Sequence, residues 1–86
     1  MKVSVEISMY PLRDEFLPVI AGFIEQLNQD QQVEVKTNSM STQIFGEYDQ
    51  VMALLQASIK ESFERFNKVV FATKFIHGDT RANGYE

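Results

Sequence analysis

The stretch Val3–Asn28, VSVEISMYPLRDEFLPVIAGFIEQLN, changes its hydrophobic period partway along, and that change decides the fold. Val3, Val5, Ile7 and Met9 alternate with Ser4, Glu6, Ser8 and Tyr10, a period of two that marks a strand with one buried face. Pro11 closes it, because proline has no N–H to give to a ladder. From Asp14 to about Asn28 the apolar residues Phe16, Ile20, Phe23, Ile24 and Leu27 fall at helical spacing. Asp14 is the expected N-cap, and Pro18 is tolerated if it lies in the first turn. Gly22, inside this helix, costs about 1 kcal/mol against alanine, which implies a close approach of helix to sheet.

Working outward, Val33 and Val35 alternate with Glu34 and Lys36 in a second strand. The small polar run Thr37–Ser41 makes a corner, and a short strand, Thr42–Gly46, follows. Glu47–Phe66 reads as a second helix, with Val51, Met52, Leu55, Ile59, Ser62, Phe63 and Phe66 as its inward stripe and Glu61–Arg65 as an i,i+4 pair. Lys68–His77 is β-branched and aromatic, a last strand. The order β-α-β-β-α-β predicts an α+β, ferredoxin-like fold: a four-stranded antiparallel sheet, strand order 4-1-3-2, with two helices on one face. Residues 1–79 form the single expected domain and residues 80–86 a polar C-terminal tail.

Eighty-six residues hold one domain with a thin core, a size that commonly gains stability by oligomerising. Hydrophobic residues at 44% and charged residues at 23% are globular proportions and argue against disorder. The absence of cysteine excludes a disulfide scaffold, a thiolate metal site and a thiol nucleophile, and a single histidine excludes a multi-histidine metal site. A net charge of −4 disfavours nucleic acid as a partner. The alternating N-terminal residues do not form a signal-peptide core, and no apolar run is long enough to span a membrane, so a cytoplasmic location is expected. No metal or other cofactor is expected.

Two helices leave the opposite sheet face open. Strand parity assigns Val3, Val5, Ile7, Met9, Val33, Val35, Ile44, Val70, Ala72 and Ile76 to the helix side. It assigns Ser4, Glu6, Ser8, Tyr10, Glu34, Lys36, Gln43, Phe45, Val69, Phe71, Thr73 and Phe75 to the open side. A solvated face should be polar. This one is expected to carry an aromatic patch of Tyr10, Phe45, Phe71 and Phe75, large enough for an interface or a ligand. Glu6 within that patch needs a cation or several donors. A carboxylate among aromatic rings suits a flat, cationic, amine-bearing molecule. The corner residues Asn38, Ser39, Met40, Ser41 and Thr42 could clamp a ring edge. His77, Asp79 and Arg81 read as surface charges. No pair of titratable groups with opposed environments indicates acid–base catalysis.

Three segments, VSVEISMYPL, TNSMSTQIFGEYDQVM and VVFATKFIHGD, resemble the small YkoF-like thiamine/hydroxymethylpyrimidine-binding family, from Val3 to about Asp79. Phe45 stands where that family usually has an acidic residue, and Asn38 and Ser39 stand where it has glycine or proline. The resemblance implies a non-catalytic binding protein for thiamine or its pyrimidine half, assembling as dimers and tetramers through its sheets, with no chemistry on the ligand. An aminopyrimidine would stack on Phe71, Phe75 or Tyr10 and meet Glu6, Ser8, Asn38, Ser39 or Ser41, with Met40, Thr42 and Thr73 beside it. Two alternatives remain open at this level: a structural or regulatory homo-oligomer without ligand, and a small dimeric α+β-barrel enzyme.

Overall fold

The computed structural model describes residues 1–81. Its elements are β1 (Lys2–Pro11), α1 (Leu17–Asn28), β2 (Glu34–Thr37), β3 (Thr42–Glu47), α2 (Tyr48–Phe66) and β4 (Val69–His77). The strands form one antiparallel sheet in the order β2-β3-β1-β4, the predicted order read from the other edge. The α+β ferredoxin-like architecture is therefore the one expected.

β1 lies inside the sheet and carries its core. Val3, Val5, Ile7 and Met9 are buried with Ile44 of β3, Val19, Phe23 and Leu27 of α1, and Val51 and Leu55 of α2. Helix α1 begins later than expected. Pro18 occupies the N1/N2 region, where its missing N–H interrupts nothing, and Phe16 is the N-cap without a side-chain cap bond. Asp14, exposed before that turn, is not the cap. Gly22 is also not the expected close approach, since a Cβ there would meet nothing within 4 Å. Gly46 holds that role: a Cβ would come within 3.2 Å of Val33 Cγ1 and 3.3 Å of Val51 Cγ2, so glycine lets β3 pass beneath α2.

The largest correction concerns β4. Opposed residues in an antiparallel pair share a face. Met9 opposes Phe71, Ile7 opposes Thr73 and Val5 opposes Phe75, so Val69, Phe71, Thr73 and Phe75 lie on the helix side. Phe71 packs there against Phe23 and Phe63, with ring centroids 5.0 and 5.7 Å apart. Val70, Ala72 and Ile76 face the open side instead, across from Tyr10, Ser8 and Ser4. Both parities of VVFATKFI are apolar, so alternation alone could not choose between them. The discriminating residue is Lys74, which shares its face with Val70, Ala72 and Ile76 and marks that face as solvated.

The helices leave much of β4 uncovered. Phe75 is 53% exposed on the helix side, and Val70 and Ile76 are exposed on the other. No helix among the described residues is long and apolar enough to cross a membrane.

Candidate functional site

β1 is longer than the strand beside it. It pairs with β4 as far as Pro11, but with β3 only from Lys2 to Ile7, where Thr42 begins β3. From Ser8 onward one edge of β1 has no strand beside it. Pro11 fits a strand here because the side on which its N–H is missing is the unpaired side. Beyond Thr42 the chain turns away in a tight hairpin: Asn38 N–H donates to Ser41 O at 3.1 Å across the two-residue tip Ser39–Met40. Asn38 Oδ1 accepts from Met40 N at 2.8 Å and from Ser41 N at 3.1 Å.

Between the free edge of β1, the hairpin and the N-terminal half of α1 lies a cavity of about 460 Å³. That volume is in the range of small-molecule sites. Its apolar wall comes from Phe16, Ile20, Phe23 and Ile24 of α1, with Met9, Pro11 and Leu12. Its polar rim comes from Ser8, Tyr10 and the hairpin.

The expected site residues divide accordingly. Ser8, Tyr10, Asn38, Ser39, Met40, Ser41 and Thr42 converge on this cavity. Phe71, Thr73 and Phe75 do not line it: they lie on β4, across β1 from the free edge, and face the helix side instead of the open face expected. Several hairpin groups are already engaged. The Asn38 carboxamide oxygen closes the turn, Thr42 is buried with its hydroxyl 3.1 Å from that of Thr37, and Ser41 Oγ donates to Glu6 Oε2 at 2.9 Å. Glu6 takes a second partner in Lys74, whose Nζ is 3.5 Å from Oε1. The carboxylate therefore stands on the open face, joined through Ser41 to the cavity rim.

A second, smaller cavity of about 290 Å³ lies on the open face among Ser4, Glu6, Gln43, Phe45, Lys74, Ile76 and Thr80. The residues after β4 fold back over it. Ser4 Oγ donates to Gly78 O at 2.8 Å and accepts from Thr80 N at 3.1 Å. The Arg81 guanidinium stacks 5.3 Å from the Phe45 centroid and reaches Glu34 Oε1 at 2.7 Å while pairing with Asp79. Arg81 thus covers the one aromatic ring of β3 that the open face would otherwise show. Its hydrogen bonds hold the Asp79 carboxyl well below the usual range, lower that of Glu34 too, and raise the guanidinium in return. Asp79 and Arg81, read from sequence as solvated charges, form a latch, while residues 82–86 of the expected tail lie outside those described.

Sequence reasoning missed Met9, Phe16, Ile20, Phe23 and Ile24 as cavity lining, because their periodicity marks them as core. A usable signal was the mismatch in strand length, with alternation running from Val3 to Tyr10 against a neighbour only Thr42–Gly46 long. Among the described residues no cluster of histidine and acidic side chains is arranged to hold a metal ion.

A family model described as thiamine-binding protein matches residues 5–84. Among solved structures, a Streptococcus pneumoniae protein superposes with a TM-score of 0.84 at 22% identity, covering 96% of this chain and 93% of that one. A hypothetical protein from Methanocaldococcus jannascii gives 0.77 at 23% identity, with 95% and 86% covered. A Thermotoga maritima protein, provisionally described as acting in thiamine biosynthesis or salvage, gives 0.79 at 19% identity, with 91% and 85% covered. At these identities the superpositions establish the fold. No curated protein matches the chain significantly.

Proposed function

The chain belongs to the thiamine-binding protein family, and from that premise we propose that it binds thiamine, or its hydroxymethylpyrimidine moiety, in the cavity beside the free edge of β1, without chemistry on the ligand. The observation that carries this reading is the cavity itself: about 460 Å³, walled by the aromatic and aliphatic side chains of α1 and rimmed by hydroxyls and main-chain groups. An apolar slot with few polar groups suits a flat heterocycle. Phe16 and Phe23 take the place of Phe71 and Phe75 beside Tyr10 as the aromatic surfaces offered to it. Glu6, one hydrogen bond from the rim at Ser41, supplies negative charge for a thiazolium, and the net charge of −4 favours a cation over a phosphorylated ligand.

The protein would work as a homo-oligomer in the cytoplasm, with β4 as the contact. β4 is a nine-residue edge strand without proline and with apolar residues exposed on both faces, the pattern that recruits another strand. Isothermal titration with thiamine, hydroxymethylpyrimidine and thiamine pyrophosphate tests the reading. Saturable heat with the first two, weakened for thiamine but not for hydroxymethylpyrimidine by Glu6→Gln, is expected. No heat with any of the three from folded protein would overturn it.

A further inference from the structure

We infer that the main chain of Met9 is the element that recognises the ligand's ring edge, its N–H and C=O together reading an acceptor–donor pair such as the ring nitrogen and exocyclic amine of a 4-aminopyrimidine. Along a strand, successive residues send their N–H and C=O to alternate sides. Gly78 N–H donates to Lys2 O and Leu12 N–H donates to Lys68 O, so the even residues of β1 address β4. Tyr48 N–H donates to Met1 O, so the odd residues address the β3 side. The register with β4 runs unbroken from Val3 to Pro11, with no bulge to reverse this alternation.

Met9 therefore turns both main-chain groups toward the side where β3 has already ended. Its position opposite the hairpin carries no ladder pair, and among the described residues no turn or loop group bonds to it. Met9 is only 7% exposed and lines the cavity. A main-chain N–H and C=O in a cavity wall, with no partner among the described residues, need a hydrogen-bonding occupant, whether water or ligand. Because both come from one residue, they point the same way and present a donor beside an acceptor in the sheet plane. A planar ring meeting them edge-on would continue the sheet as an extra strand does. Its one face would rest on Ile20 and Phe23, and its other would lie toward Ser8 and Tyr10. A ring with a lactam edge offers a donor and an acceptor in the opposite order, and matches only if the rest of the molecule is turned around.

The inference rests on the thiamine-binding reading, and two measurements separate their failures. Amide hydrogen exchange followed by NMR should show Met9 N–H exchanging quickly without ligand, while Ser8 and Tyr10, bonded to β4, stay protected. Adding thiamine should protect Met9 at least tenfold. Oxythiamine, in which an exocyclic carbonyl oxygen replaces the amine and the neighbouring ring nitrogen carries a proton, should bind at least tenfold more weakly than thiamine, since neither hydrogen bond to Met9 can then form. Binding of thiamine with Met9 unprotected, equal binding of oxythiamine, or a Met9 amide already protected in the free protein would each overturn the role of Met9 and leave the binding function standing. No binding of thiamine or hydroxymethylpyrimidine would overturn the function itself.

Discussion

Replacing Phe71 with alanine tests which way β4 faces. Phe71 is partly buried on the helix side, in contact with the rings of Phe23 and Phe63. Truncating a fully buried phenylalanine costs about 3–5 kcal/mol, and the partial exposure here lowers that to about 2–3 kcal/mol. For a domain of this size that is a large part of the total stability and corresponds to a fall in Tm of roughly 10–20 °C. Val70, one residue earlier and exposed on the other face, is the control: Val70→Ala should cost less than about 1 kcal/mol. Urea titration monitored by circular dichroism, at protein concentrations low enough to hold one oligomeric state, gives both values. If Val70→Ala were the costly change, or if Phe71→Ala left stability intact and abolished ligand binding, β4 would be paired one residue out of register. Every side chain on it would then change face, and the aromatic patch expected from sequence would be restored.

Gly22→Ala should raise stability by about 0.5–1 kcal/mol, because the position is helical and open; a lower melting temperature would show that this face of α1 is covered in solution. The latch should open in acid. Asp79 and Glu34 have carboxyls lowered by Arg81, so their contribution is complete above roughly pH 4–5 and is lost as pH falls through the depressed values; the Thr80 amide should lose exchange protection on that descent, and Arg81→Ala should remove the pH dependence. Thr73→Pro deletes an N–H from the free edge of β4, since only the even residues of that strand face β1. Light scattering should report a smaller species with its fold intact, and an unchanged mass would place the interface elsewhere.

The strand order and the element sequence were legible because the two periods differ so clearly between Val3–Met9 and Phe16–Leu27, and because right-handed crossovers leave few ways to connect six elements. The facing of β4 was not, since its apolar residues fall on both parities and only Lys74 carried the distinction. The hairpin residues were found as candidates from their composition. What composition could not show is that Asn38, Ser41 and Thr42 spend polar atoms on one another, on Thr37 and on Glu6. The latch escaped notice for a related reason: Arg81 acquires its meaning from Phe45 and Glu34, which lie far away along the chain. The opening beside Met9 belongs to no residue type at all, being a difference between two strand lengths.

Pro11 has a consequence for how such a protein can diversify. With no amide hydrogen on the open flank, position 11 could offer a longer β3 only its carbonyl, so a lengthened hairpin would gain a full pair at Met9 but only half of one at Pro11. Residues inserted between Ser39 and Met40 would project from an exposed tip whose neighbours already satisfy one another. The mouth of the cavity can therefore be reshaped, and its choice of guest altered, by changes at a tip whose two residues, Ser39 and Met40, are exposed and outside the core.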